Sequence, residues 1–415
     1  MNPKNKRIVI DNNEGKRVLI TGGDGYIGSN LNLWLKKRGY EVILSVNRKT
    51  GKKNCFQADI TDSRKISNLI NQVKPDVIVH TAGISNLNLC EKEPEIAKKI
   101  NLQGTKNIIE AINKVNSRIK LVFFSSEYVF LGDKGNRKET DDTRPKTIYG
   151  KSKLDAEKAV KEKINNFVIC RTANVFGKGG NFFTFITDSL KGNKQIEVFD
   201  DTFFTPTYID YLCDSLEKVI NSDFRGIIHI AGQDRVSRYD FALKIAQSLN
   251  KDANLIKPVK QPREGLITKD SSLDISLLRK TISNYCPPLQ KAIHFNFGNL
   301  ISPYFYFGDD RGKILGISRL KKWKEINYID SLKGTIRGNH YHKKTLEGFF
   351  IIKGKIKVTL MDIKSKLVKE FLVSDGDLFL VRPNTLHTFE VLKDSCWINF
   401  LSNTVDQGAK DFYRL

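Results

Sequence analysis

With 415 residues the chain is long for a single core and predicts two or three domains, while its 40% apolar content is ordinary for a folded protein. No apolar run approaches a membrane span and the start, M-N-P-K-N-K-R, lacks a secretory segment, so a cytoplasmic protein without membrane partners is expected. A net charge of +23 is spread along the chain rather than gathered in a basic arm, which argues against a nucleic-acid partner and suits an anionic substrate; the six cysteines form no C-x-x-C pair and read as reduced thiols.

Arg17 to Ile20 reads as a short buried strand, followed by a glycine-rich turn and an apolar-periodic helix from Tyr26 through Leu35. Gly22, Gly25 and Gly28 are spaced G-x-x-G-x-x-G. Gly22 can take a conformation that a side chain forbids, Gly25 lets a pyrophosphate approach the main chain, and Gly28 lets helix and strand pack closely. Together with Tyr26 and Ile27 they would cradle a dinucleotide at the helix start. Glu41 to Val46 is the second strand. Asn47, Arg48 and Lys49 follow it where a ribose-binding acid would select NAD, so Arg48 favours NADP, with NAD as the alternative.

Phe56 to Asp59 reads as a third strand, with Asp59 and Ile60 bordering the adenine. Asp76 to His80 is a buried strand running into Thr81-Ala82-Gly83, where Ala82 and Gly83 would lie along the cofactor, and Asn101 opens the next helix. This alternation predicts an α/β Rossmann-type, doubly wound parallel sheet. Leu121 to Phe124 delivers Ser125 and Ser126 at a strand end, where open α/β sheets bind ligands. Tyr149 and Lys153 are four apart on one helical face; an ammonium beside a phenol lowers its pKa, and with a serine hydroxyl the pair makes a proton donor over a ketone.

The stretches S-S-E-Y-V-F-L-G and I-Y-G-K-S-K-L-D-A-E-K resemble the extended short-chain dehydrogenase/reductases and, within them, the dTDP-4-dehydrorhamnose reductases; the likeness continues through R-T-A-N-V-F-G, N-F-F and T-P-T-Y to S-S-L-D, over about the first 300 residues. It implies a catalytic set of Ser126, Tyr149 as general acid and Lys153 on the nicotinamide ribose. It also implies a small substrate lobe over a nucleotide-diphosphate-sugar, with Ser125, Asn181 and Arg263 as substrate-binding residues. Glu127 stands in place of that family's aspartate.

After Asn296 to Pro303 the pattern changes to short strands broken by Gly, Asp and Pro, which predicts domains at 1–298 and 299–415, the second all-β. There His340, His342 and Glu347 follow Gly334 at G-x5-H-x-H-x4-E, and His387 lies on a later strand. Two histidines at i and i+2 share a strand face, and three imidazoles with a carboxylate suit a divalent metal, zinc first. The segment resembles a cupin (double-stranded β-helix) of sugar-nucleotide biosynthesis, in particular the C-terminal cupin of the bifunctional capsular epimerase-reductases that make the N-acetyl-L-fucosamine precursor. That resemblance implies a 4-keto reductase joined to an epimerase, with Arg337 stabilising an enolate and a homodimer formed through the cupin or the reductase helices. Competing readings are a reductase with a non-catalytic cupin and a non-enzymatic regulatory relative.

Overall fold

The structure, a computed structural model, describes residues 15–48, 51, 53–262, 265–282, 284–309, 312–318, 323–404 and 411–415. The chain divides into two compact units. One comprises Met1–Asp188, Gln195–Ala242 and Ile256–Pro287, the other Ser189–Lys194, Leu243–Leu255 and Pro288–Leu415.

In the first unit, β1 (Arg17–Thr21), β2 (Glu41–Val46), β3 (Cys55–Gln57), β4 (Val77–His80), β5 (Lys120–Ser126) and β6 (Phe167–Thr172) join the strand Gly226–His229 in one sheet. The order is Gly226–His229, β6, β5, β4, β1, β2, β3, and every pairing is parallel. Helices cover both faces of such a sheet, so the strands read as unbroken apolar runs. Val18, Leu19, Ile20, Leu121, Val122 and Phe123 are all fully buried. From β1 the chain winds outward through β2 and β3, then returns to the other side of β1 as β4. That reversal opens a crevice beyond the carboxyl ends of β1 and β4.

Local signals set the helix starts. Asp62 accepts the Lys65 amide and Thr147 accepts the Gly150 amide, each satisfying an otherwise unpaired N–H at the beginning of Ser63–Val73 and Ile148–Lys163. Two boundaries differ from expectation. β3 is shorter, because the Asp59 carboxylate accepts both the amide and the hydroxyl of Thr61 and turns the chain. The helix expected to open at Asn101 is preceded by the short helices Leu87–Lys92 and Pro94–Ala97 and by a π-helical stretch, Lys98–Gln103, before Gly104–Val115. The wide turn drops the Asn101 amide onto Ile84 and Ser152, a bonding pattern that no sequence period announces.

The second unit is built mainly of antiparallel strands. Glu347–Asp362 and Thr385–Leu401 pair along nearly their whole length, and register shifts near Ile351 to Ile356 bend them. Gly354, at φ +121°, sits against Ser395 in that bend. Glu325–Ser331 and Ile336–His340 pair with Thr385–Leu401, while Val368–Ser374 and Leu378–Val381 pair with Glu347–Asp362. Phe349, Ile351, Val358, Phe379, Phe389 and Trp397 fill its core. Among the described residues no helix is long and apolar enough to cross a membrane.

Candidate functional site

In the first unit a cavity of about 550 Å³ lies at the carboxyl edge of the sheet. Its floor is the glycine turn. Gly22 holds φ +69°, and a Cβ there would stand 2.7 Å from the Ala82 Cα, so the turn closes only with glycine. The helix Tyr26–Lys36 starts at Gly25 with no side-chain cap and no acid in its first turn, which leaves its first N–H groups to the cavity that Gly25, Tyr26, Ile27 and Gly28 line. A free helix start above a turn whose only side chain is that of the exposed Asp24 fits a dinucleotide pyrophosphate.

Ser126, Tyr149 and Lys153 line the same cavity. Ser126 ends β5, and Tyr149 and Lys153 share one face of the helix Ile148–Lys163. The Ser126 hydroxyl donates to Glu127 at 2.6 Å. Burial, with the negative charge of Glu127 adding to it, raises the Tyr149 phenol above its ordinary value, so it holds its proton at neutral pH. This differs from the acidified phenol expected from the Y-x-x-x-K spacing. The Lys153 ammonium lies 4.4 Å over the Phe123 ring, and burial lowers its pKa to about 8 against the opposing pull of Glu157. A protonated phenol is the form that a proton donor requires.

The remaining candidates divide. Gly83 lines the cavity and Ala82 backs Gly22. Arg48 is exposed just beyond β2. Asp59 is engaged with Thr61, and Ile60 packs against Gly104, so neither reaches the cavity wall. Ser125 lines the cavity, but its hydroxyl donates to Glu157 at 2.5 Å, and Glu157 in turn holds Arg171 at 2.7 Å. Asn181 begins the helix Asn181–Lys191, with its side chain outside what is described, and Arg263 lies outside the described residues.

The sequence assigns no role to two further wall residues, Glu127, which it marks only as replacing an aspartate, and Arg238. Glu127 is pushed up to about 7 by burial, with Ser126 and Arg238 pulling the other way. Arg238 opens the helix Arg238–Ser248 and lies about 5 Å over the rings of Phe182 (5.0 Å) and Phe204 (5.1 Å). No motif marks Arg238. Only the fold carries it to the Tyr149 cavity.

In the second unit, ligand atoms of His340, His342 and Glu347 lie within 4.8 Å of one another. His387 is brought in through Glu347, its Nε2 3.4 Å from Glu347 Oε2, while His342 Nε2 is 3.7 Å from the same oxygen. The expected i, i+2 alternation does not set this arrangement: the strand Ile336–His340 ends at His340, which a register shift after Gly338 brings opposite His387, and His342 follows beyond the strand. Burial raises the Glu347 carboxyl to about 7 and lowers His387 to about 3. Glu347 Oε2 and His340 Nδ1 are buried without a hydrogen-bond partner among the described residues. Orphaned donor atoms facing one another fit a divalent cation. Arg337 lines the same cavity, of about 340 Å³, and is tied to Ser331 at 3.0 Å and to the Asp330 carbonyl at 3.2 Å.

Residues 16–298 match the family RmlD substrate binding domain. The chain belongs to that family. Residues 307–399 of this RmlD-family chain match the Polysaccharide biosynthesis C-terminal domain. A dTDP-4-dehydrorhamnose reductase of Aggregatibacter actinomycetemcomitans is 31% identical over 288 residues, 66% of this chain and 91% of that one. The crystal structure of dTDP-4-dehydrorhamnose reductase from Bacillus anthracis in complex with NADP superposes with a TM-score of 0.63 at 29% identity, covering 68% of this chain and 99% of the other. Methionine adenosyltransferase 2 subunit beta of Pongo abelii is 25% identical over 262 residues, 59% of this chain and 75% of its own.

Proposed function

We propose that this RmlD-family protein reduces the ketone of a 4-keto-6-deoxy nucleotide-sugar for surface polysaccharide, using NADPH, and that its C-terminal barrel epimerises a carbon beside that ketone. The observation that carries the reading is that Ser126, Tyr149 and a buried Lys153 line one cavity with an open helix start. The relatives named dTDP-4-dehydrorhamnose reductase, one of them bound to NADP, support the substrate class and the cofactor.

Residues 1–298 form the reductase domain in this reading and 299–415 the barrel, a cupin. Gly22, Gly25 and the first turn of the helix at Tyr26 bind the pyrophosphate, and Lys153 holds the nicotinamide ribose. A nicotinamide bound there supplies hydride to the carbonyl carbon. Ser126 orients the carbonyl oxygen, and Tyr149 gives its proton to the alkoxide as charge develops there. Glu127, bonded to Ser126, and Arg238 line the same cavity and would face the hexose.

In the barrel, His340, His342, Glu347 and His387 would hold a divalent metal, zinc first, which supplies Lewis acidity to a carbonyl oxygen. Arg337 would offer a fixed cation to the enolate formed when a solvent water takes the proton beside the ketone, and a proton from solvent returned to the other face completes the epimerisation. A second reading, in which the barrel binds metal without catalysing, is favoured by Phe412, whose ring stacks on His340 at 4.2 Å.

Candidate 4-keto-6-deoxy sugars incubated in heavy water, with and without NADPH, test both halves. Reduction dependent on NADPH together with exchange of one carbon-bound hydrogen beside the ketone is expected. Reduction without exchange would leave the reductase alone, and neither would sink the proposal.

A further inference from the structure

The last described residues of the chain, 411–415, lie against the histidine cluster. The His342 Nδ1 faces the backbone carbonyl of Asp411 in a short hydrogen bond. With Nδ1–H donating there, the free lone pair is on Nε2, the nitrogen that faces Glu347. Asp411 is itself held by its carboxylate. Its oxygens accept the amides of Lys343 (2.8 Å), Lys344 (3.1 Å) and Thr345 (2.9 Å) and the hydroxyl of Thr345 (2.6 Å).

Two residues on, Tyr413 exchanges a pair of backbone hydrogen bonds with Tyr341, at 2.9 and 3.0 Å, and the two rings stack. Between these anchors Phe412 lies over His340, 4.2 Å between ring centres and 22° from parallel. That ring is 45% exposed, so burial alone does not explain its position. The strap therefore touches both imidazoles of the H-x-H pair: one by a hydrogen bond that selects its tautomer, the other by a ring face.

We propose that residues 411–415 complete the candidate metal centre, with Asp411 a positioning residue that fixes the His342 ring and Phe412 a clamp on His340. The inference rests on the reading of His340, His342, Glu347 and His387 as a metal-holding set. Groups that orient a ligating imidazole through its other nitrogen are worth about 10- to 100-fold in metal affinity. The H-x-H motif by itself then leaves the site incomplete. His342 Nδ1 would otherwise turn to water, and His340 would lose the face that restricts its ring.

The test is titration of the full-length, metal-stripped protein with Co²⁺, read by its visible absorption, for the parent chain, Asp411→Ala, Asp411→Asn and Phe412→Ala. Asp411→Ala is expected to weaken Co²⁺ binding about tenfold or more. Asp411→Asn, which keeps one accepting oxygen, should fall between, and NADPH binding should be unchanged in all. Equal Co²⁺ affinity in the parent and all three variants overturns the strap and leaves the metal site standing. A parent chain that binds no Co²⁺ overturns the metal reading, and the strap with it. Hydrogen exchange of the parent chain guards against a variant that fails to fold. Co²⁺ should slow exchange at the Tyr341 and Tyr413 amides, and unchanged rates there count against the proposal.

Discussion

At the scale of single residues the reductase cavity is a set of charges held away from water. Lys153 carries an ammonium whose pKa burial has lowered to about 8, so the cation is present below that pH and is lost as pH rises through it. If that cation holds the ribose, kcat/KM for NADPH declines above about pH 8. A pH profile measures this, and Lys153→Met should lower the whole curve and remove that limb. Arg238 offers a second prediction. It lines the cavity over two aromatic rings and forms no ion pair within 4.0 Å among the described residues, so its guanidinium is available to the sugar. Arg238→Met should raise KM for the nucleotide-sugar roughly tenfold or more, the worth of one hydrogen bond to a charged group, and leave NADPH affinity unchanged. Initial rates at varied sugar and direct NADPH titration separate the two. An equal loss in both would assign Arg238 to structure.

At the scale of elements the helix Ile148–Lys163 does two jobs from one face. Tyr149, Lys153 and Glu157 recur every four residues, the first two at the cavity and the third at a fully buried pair with Arg171 on β6. Arg171 also supports the end of β5, because Ser125 donates to the same carboxylate. Removing the guanidinium leaves Glu157 buried and uncompensated beside a serine. Arg171→Met should therefore cost about 3–5 kcal/mol of stability, measured by urea unfolding. Replacing both partners by apolar residues of similar volume should recover much of that loss, since the pair's own desolvation cost disappears with it. The second unit follows a similar economy of position: the register shift between Gly338 and His340 interrupts the alternation of the strand Ile336–His340, brings His340 level with His387 and leaves Arg337 and His340 lining one cavity.

At the scale of the whole molecule each of the two units has a cavity lined by its own residues. The proposed reactions are separable on that account. Stripping the metal with a chelator should abolish solvent exchange at the carbon beside the ketone. It should leave reduction of a substrate already in the product's configuration at its original rate, followed by NADPH consumption. Loss of both activities on chelation would show that the reductase cavity depends on the barrel's metal and would contradict the division of labour. The net charge of +23 belongs to this scale as well: spread over the chain, it raises the local concentration of a diphosphate without marking any one residue as its partner.

The parallel sheet, the glycine turn and the Tyr149 helix were legible in the sequence because each depends on neighbours a few residues away, whereas the strand expected to carry both histidines of H-x-H ends at the first. Glycine spacing, apolar runs and i, i+2 or i, i+4 recurrence are local, and local geometry is nearly independent of the rest of the fold. The similarity of residues 16–298 to the RmlD family accords with that reading. What the spacing could not tell was the sign of the Tyr149 shift, because desolvation depends on everything packed around the phenol and here is the largest influence. Nor could it find Arg238, or the use of Ser125 for Glu157, or the return of Asp411 and Phe412 to the histidines. These join residues that are 32 to 69 or more positions apart along the chain, and only the closed tertiary structure decides which distant side chains share the same few ångströms.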